Sequence, residues 1–455
     1  MKTSTPPKAT TPRVAYLVLA VLFAMNLLNY IDRFILAAVL KHVKEDKDFQ
    51  LNNTQAGSLT TAFFISYTIF SPLIGLLGDR VRRKYLIAAG VGIWSLATFA
   101  SGLAGGYGHM LLARSILGIG EASYATLAPT LIGDLFRREK RNRALTIFYV
   151  AIPLGAALGY ILGGMFAALY GWRTAFYVVG LPGLLLALAA LFIPEPRRGA
   201  TEEVDASDLE RHDAIPLSWK DYAGLAKNRS YVYNAIGMAA FTFALGGLVA
   251  WAPDYLVSVE HVASGLTEAD LEGLSPPERE TKISEAMSER ATKWLGIVVF
   301  VSGLVGTMLG GWIADRLSNR IRGAYFTLSG ATVLASVPLI LAGIMLRNEL
   351  ALFACLLVGL TFASMNYGPT NTIIVNVTDP KIRAAAFAVN IFVIHLLGDI
   401  PSPTFMGFVR DVTGSPFLGM AVTLPVLFLG GIFFCLGAPH LQADQDAVLK
   451  GMRSG

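Results

Sequence analysis

Gly75-Leu76-Leu77-Gly78-Asp79-Arg80 closes one long apolar run, and Gly311-Trp312-Ile313-Ala314-Asp315-Arg316 closes another. Both read G-x-x-[GA]-D-R, and each ends the second apolar run of its half of the chain. Working outward from these two stretches gives the organisation. The first run extends from Val14 to about Leu40, and others fall at roughly 55–77, 85–104, 110–135, 142–169 and 173–193. A polar stretch follows, and then six more runs at roughly 231–258, 293–314, 323–346, 349–377, 383–409 and 415–438. A helix crosses the ~30 Å hydrocarbon core of a bilayer in about 20 residues. The first run exceeds the 7–15-residue core of a signal peptide and is therefore read as a retained span. The expected fold is all-α and polytopic, with twelve transmembrane helices in two related six-helix bundles. The divisions are a tail at 1–13, a bundle at 14–193, a linker at 194–230, a second bundle at 231–440 and a tail at 441–455.

Composition leads to the same class. Of 455 residues, 54% are hydrophobic and 15% charged, with a mean hydropathy of +0.54. Soluble globular domains carry about 25% charged residues, so this chain lacks the charge to cover a water-facing surface. The net charge of +5 is read as orientation rather than nucleic-acid binding. Lys and Arg number 25 in segments sharing a side with the N-terminus and 10 in the opposite loops. By the positive-inside rule both termini are expected in the cytoplasm, in a multi-pass protein of the plasma (inner) membrane. Cys355 and Cys435 lie in apolar runs, and the six histidines have no HExxH spacing. With no nucleophile elbow or phosphate loop either, no enzyme activity, cofactor or metal is expected. Nothing argues against a monomer.

Charges inside the spans mark the working site, because an intramembrane ionisable group is costly without a partner or water. Asp32 and Arg33 lie roughly 12 Å from the outer end of span one at 1.5 Å per residue. Arg114 lies roughly 6 Å inside span four, and Glu121 follows about 10 Å deeper, nearly two turns on, so the two share a face. One cation with two carboxylates from neighbouring helices can form a single cluster. A carboxylate held between dehydration, which favours its neutral form, and a guanidinium, which favours its charge, can take and release a proton. Asp32 and Glu121 are thus read as proton carriers and Arg114 as an anchor for an anionic headgroup. Arg33 points about 100° away from Asp32, so one of that pair is expected to serve packing or a gate. A static salt-bridge lock among the same groups is the rival reading.

Other residues have secondary parts. His395 and Asp399, i and i+4, form a polar pair that orients the helix before Pro401 and Pro403, or a second titrating pair. Asp79 is expected to meet a helix end of the other half and close the cytoplasmic side together with Gly75, Arg80 and Arg83, with Asp134 and Glu139 as partners. Asp315 and Arg316 would play the matching part. Gly155, Gly159 and Gly163 in span five predict close helix contact. Asn366, Tyr367, Asn371 and Asn390 are candidate polar liners. The acidic loop at 259–292 is expected to be solvated, with helix-start character at Thr267–Gly273 and Pro276–Arg290.

Several of these stretches also carry a family resemblance. Gly75 through Lys84 is similar to the loop motif between spans two and three of the major facilitator superfamily, with Arg82 where that pattern has Gly. Gly171-Trp172-Arg173 is a further common feature. Asn29-Tyr30-Ile31-Asp32-Arg33-Phe34, Gly120-Glu121-Ala122-Ser123-Tyr124 through Pro129, and His395 through Pro403 resemble the spinster family of lipid transporters. The first two also resemble anion:cation symporters. The resemblance implies two bundles rocking about a midplane cavity. It implies a sphingosine-phosphate-like or lysophospholipid-like cargo, with protons as coupling ion and the bilayer as its setting. The rival cargo is a sugar acid or carboxylate moved by proton symport.

Overall fold

The computed structural model describes residues 12–136, 138–196, 224–259, 262–378 and 382–454. The expected linker at 194–230 therefore lies largely outside the described residues. The first six spans are single helices: α1 (Pro12–Glu45), α2 (Asn53–Arg80), α3 (Arg83–Gly102), α4 (Tyr107–Leu135), α5 (Arg138–Tyr170) and α6 (Trp172–Leu191). Span seven is α7 (Arg229–Ser258), span eight α8 (Pro276–Ser318) and span nine α9 (Ala324–Met345). Span ten is broken into α10 (Glu349–Ser364) and α11 (Tyr367–Val377). Span eleven runs as α12 (Arg383–Ile394), a π turn at His395–Asp399, and α13 (Pro401–Thr413). Span twelve is α14 (Pro416–Ala421) and α15 (Thr423–Gly437), and a last helix, α16, covers Leu441–Ser454.

Among the described residues eleven helical stretches are long and apolar enough to cross a membrane. The twelfth, α4, has the length at 29 residues. It is less apolar because Arg114, Glu121 and several hydroxyl side chains interrupt it. The helix that falls short of a plain lipid-spanning composition is one that carries the candidate site.

Local chemistry sets the helix ends. Asn52 caps α2 in a reciprocal box with Gln55, its side chain accepting from the Gln55 amide at 2.7 Å, which satisfies donors that the first turn leaves free. Asn228 caps α7 through the Tyr231 amide at 2.9 Å. Ser275, boxed with Glu278, starts α8, with Pro276 in its first turn. From there α8 runs unbroken for 43 residues. The expected helix start at Pro276 is thus the start of span eight itself, because no Gly or Pro lies between Pro277, still in the first turn, and Gly296. Thr267 opens a single turn at Glu268–Leu271.

Breaks follow proline. Pro401 has no N–H to donate to the carbonyl four residues back, and the turn before it widens so that Ile400 N donates to His395 O at 3.0 Å. Pro369, just inside α11, likewise cannot serve Met365, where span ten is interrupted.

The bundles repeat one packing scheme. In the first, α1 packs on α5, α2 on α4, and α3 on both α4 and α6. In the second, α7 packs on span eleven, α8 on α10, and α9 on both α10 and α15. The duplicated G-x-x-[GA]-D-R stretch is the sequence trace of this repetition, and the protein is a multi-pass integral membrane protein of two pseudo-symmetric six-helix bundles.

Close contact of α1 with α5 rests on the glycine stripe. A Cβ at Gly159 would stand 2.7 Å from the Ile31 carbonyl oxygen and the Phe34 Cβ, and one at Gly155 2.5 Å from the Tyr30 Cβ. These neighbours bracket Asp32 and Arg33. Gly159→Leu is expected to lower Tm by several degrees in detergent, since overpacking costs about 1–3 kcal/mol. Gly108→Ala, where a Cβ meets nothing within 4 Å, is the control and should leave Tm unchanged.

Candidate functional site

The four charges read from the sequence meet between α1 and α4, in a different pairing from the simplest expectation. Arg33 Nε lies 2.6 Å from Glu121 Oε2. Arg114 Nη1 lies 3.6 Å from Asp32 Oδ1, and Thr98 Oγ1 on α3 donates to the other Asp32 oxygen. Glu121 takes Arg33 rather than Arg114 because the long Arg33 side chain spans the 100° offset from Asp32. Both members of the Asp32–Arg33 pair therefore belong to the cluster. The two pairs cancel in charge, which is what allows four ionisable groups to share a low-dielectric interior.

Exposure separates the two cations. Asp32, Arg114 and Glu121 are at most 1% exposed, whereas the Arg33 side chain keeps 15%. The Arg33 guanidinium sits among the rings of Tyr30, Phe63 and Tyr67, with its carbon 5.0, 5.2 and 4.9 Å from their centroids. Arg114 shares only Phe63, at 5.7 Å. Arg114, read as the headgroup anchor, is thus buried against Asp32 here, and Arg33 is the more exposed cation of the cluster.

Tyr67 connects this cluster to the second bundle. Its ring meets His395 edge-on at 5.6 Å, and Phe64 stacks on the same imidazole at 5.8 Å. His395 Nδ1 lies 2.7 Å from Asp399 Oδ2 within the π turn. The expected i, i+4 pair is present, and it faces the α2 side of the first bundle.

The bundles touch mainly toward one side of the molecule, the side bearing the α1–α2 loop and opposite the chain ends. Asp411 on α13 accepts from the Asn53 and Thr54 amides at 3.0 and 2.7 Å and from both side chains at 2.7 and 2.6 Å. It satisfies free donors at the positive end of α2. Asp254 on α7, 1% exposed, pairs with Lys44 at 3.1 Å and with Arg410, and both cations lie over Trp251 at 5.4 and 5.6 Å. Thr61 Oγ1 donates to the Ile400 carbonyl at 2.6 Å. Lys41 reaches Ser284 on the overhanging start of α8 at 2.7 Å, so that part of the loop at 259–292 packs on α1 instead of standing free in solvent. Glycines permit the crossing: a Cβ at Gly57 would strike the Pro403 carbonyl and one at Gly407 the Asn53 carbonyl, each at 2.2 Å.

The residues read as gating occupy the other side. Arg83 bonds Asp134 at 2.7 Å and approaches Glu195 at 3.5 Å, so the expected partner Asp134 is found, within the first bundle. Gly75 has the Thr126 methyl 3.5 Å from where a Cβ would sit, on α4 of the same bundle. Asp315 accepts from Tyr325 at 3.3 Å, and Arg316 lies 3.8 Å over Trp312, both within the second bundle. Among the described residues none of these four reaches across in this conformation. The side chains of Asp79, Arg80 and Glu139 lie outside the described residues. The device expected of Asp79, a carboxylate meeting a helix end of the other half, occurs at the opposite side with Asp411. Sequence reading missed Lys44, Asp254, Arg410 and Asp411. Their one signal was charge at span ends, where loop charges are ordinary.

Among the candidate liners, Asn366 and Asn390 are buried while Asn371 and Tyr367 are exposed. The Gly171-Trp172-Arg173 stretch anchors the α1–α2 loop. Burial would push Asp46 up, but hydrogen bonds from the Asp48 amide, Arg173 and Trp172 outweigh it and hold the carboxyl below the ordinary aspartate range. Among the described residues no group of three His, Cys, Asp or Glu could hold a metal ion.

Comparison with known proteins agrees with this architecture. The Major Facilitator Superfamily model matches residues 22–403. Protein spinster homolog 1 of Homo sapiens is 36% identical over 412 residues, which cover 88% of this chain and 74% of that protein. The sphingosine-1-phosphate transporter SPNS2 of Danio rerio is 33% identical over 462 residues, 97% of this chain and 87% of that one. Among solved structures, a bacterial homolog of the human lysosomal transporter Spinster, inward-facing and unoccupied, superposes with a TM-score of 0.76 at 21% identity, covering 97% of this chain and 99% of that one. A chain matched by that family model over residues 22–403, with relatives at these identities and coverages, belongs to the Major Facilitator Superfamily and, within it, to the spinster family of membrane transporters.

Proposed function

We propose that this transporter carries a single-tailed, anionic lysolipid or sphingolipid-like molecule across the plasma (inner) membrane by alternating access, as a monomer with both termini cytoplasmic and with protons as its coupling ion. The supporting observation is the Arg33–Glu121 pair at 2.6 Å, the one pair of the cluster with a partly exposed cation. A phosphate headgroup offers Arg33 a bidentate partner in place of a carboxylate. Once Arg33 turns to the phosphate, Glu121 is a buried carboxylate without its cation and takes a proton from water entering the cavity. Release of the headgroup lets Arg33 return and Glu121 give that proton up. Asp32 follows the same logic against Arg114, one step further from the ligand. The contacts closing the α1–α2 loop side, with Gly75, Asp79, Arg80, Arg83, Asp315 and Arg316 on the other, fit a state open toward the cytoplasm. The chemistry in the relative's name, a sphingosine-1-phosphate transporter, supports a cargo with one tail and one phosphate.

The test is flux into proteoliposomes holding the purified chain, using a lysolipid panel with and without an imposed pH gradient. A phosphate-bearing lysolipid should move, faster with the gradient than without. Movement of a sugar acid with no lysolipid flux would overturn the cargo, and gradient-independent flux would overturn the coupling.

A further inference from the structure

Three asparagines in the second bundle take no part in the headgroup chemistry above, yet they are more deeply buried than Arg33. Asn234 on α7, Asn366 in the break of span ten and Asn390 on α12 are 0, 0 and 2% exposed. Among the described residues the side-chain carbonyl oxygen of each has no hydrogen-bond donor.

The three belong to one contact network. Asn234 Nδ2 donates to the Thr370 carbonyl at 3.3 Å and approaches Met238 Sδ at 3.6 Å. Asn390 Nδ2 approaches the same sulfur at 3.5 Å. Thr370 Oγ1 donates to the Asn366 carbonyl at 2.8 Å, and Asn366 Nδ2 donates to the Ala363 carbonyl at 2.5 Å. These neighbours fix which way the amides face. For Asn234 and Asn366 they are carbonyl oxygens, so turning either amide over would set oxygen against oxygen, and for Asn390 the neighbour is a thioether, a weak acceptor that takes an N–H. The orphaned atoms are therefore all acceptors.

A buried acceptor without a donor is disfavoured, and native interiors leave few of them. Three such acceptors, from spans seven, ten and eleven within one contact network, suit an electropositive occupant. Neutral amide and backbone oxygens, with no carboxylate, imidazole or thiolate trio among the described residues, suit an alkali cation rather than a transition metal. The position fits as well. Asn366 stands between α10 and α11, and interrupted helices are where transporters expose backbone carbonyls to monovalent cations. Pro369 adds to this, because its missing N–H leaves the Met365 carbonyl without a helical partner.

We infer that Asn234, Asn366 and Asn390, with the interrupted backbone of span ten, form a binding site for a monovalent alkali cation of sodium's class in the second bundle. The ion would stabilise the packing of spans seven, ten and eleven whatever the cargo, so the inference goes beyond the transport reading and is tested without it.

The full chain is purified in detergent, and its Tm is compared in sodium, potassium and choline chloride at equal ionic strength. A ligand that binds only the folded state raises Tm. Tm is expected to be about 2–4 °C higher in sodium or potassium than in choline. Asn234→Ala and Asn390→Ala should each abolish that difference. If a variant fails to fold, saturable binding of radioactive sodium to the wild-type chain, competed by unlabelled sodium or potassium but not by choline, supports the site by itself. Equal Tm in all three salts, or no saturable binding, would overturn it and leave water as the donor to these oxygens.

Discussion

Arg33→Ala is expected to cut lysolipid flux at least about 100-fold, by removing the only cation bonded to Glu121 among the described residues. The magnitude comes from burial. Taking one partner from a buried ion pair costs about 3–5 kcal/mol, because the other charge is left uncompensated, and every 1.4 kcal/mol is about a factor of ten. Glu121 is 0% exposed, so it escapes that cost only by staying protonated. A permanently protonated Glu121 has no proton cycle to offer. Arg33→Lys keeps the charge but loses the planar guanidinium that lies among Tyr30, Phe63 and Tyr67 and forks onto phosphate. Its flux should fall less, about 10-fold, with a rise in KM. The informative variant is Arg33→Gln with Glu121→Gln, which removes both charges at nearly constant volume. It should fold with a Tm near that of the wild type and remain unable to transport. Wild-type flux in the double variant, measured in the same proteoliposomes, would reduce the pair to a lock between α1 and α4.

The contrast between this pair and the gate explains what could be read from the chain alone. Asp32, Arg33, Arg114 and Glu121 were legible because a charge within an apolar run has no ordinary reason to be there. Their partners were not. Helical spacing fixes where a Cα faces, but a guanidinium on three methylenes can cross to the neighbouring face, as Arg33 does to reach Glu121. The stripe of Gly155, Gly159 and Gly163 was legible as close packing, since small residues at four-residue spacing have few other meanings. The breaks in spans ten and twelve were not foreseen, although Gly368-Pro369 and Pro425 were in view, because a proline in a membrane helix is often absorbed without interruption. Lys44, Asp254, Arg410 and Asp411 were hidden for the opposite reason from Asp32. At a span end a charge is unremarkable, and only the crossing of α2 with α13 and of α1 with α7 gives these four a common role.

Those four carry the second large expectation. Asp254→Asn should shift the conformational balance toward an open α1–α2 side, and adding Asp411→Asn should shift it further. Asp254 is the single carboxylate between Lys44 and Arg410. Without its charge the two cations stay near each other over Trp251 with nothing to offset their repulsion, and separating the bundles lets each regain water. Breaking a pair this buried costs the closed state about 3–5 kcal/mol, enough to turn a rare open state into a common one. Asp411 contributes less because it is more exposed, yet its four hydrogen bonds cap α2 only while the bundles touch. Spin labels at positions 47 and 412, one on each bundle after Cys355 and Cys435 are replaced, report the separation directly. The distance distribution should lengthen in Asp254→Asn and lengthen again in the double variant, while Asp446→Asn, an exposed residue of α16 on the opposite side, leaves it unchanged. An unaltered distribution in the double variant would mean that the apolar crossing at Gly57 and Gly407 holds this side shut by itself. The charges would then serve the departing headgroup or the fold, and the energy that opens this side would have to come from the Arg33–Glu121 exchange alone.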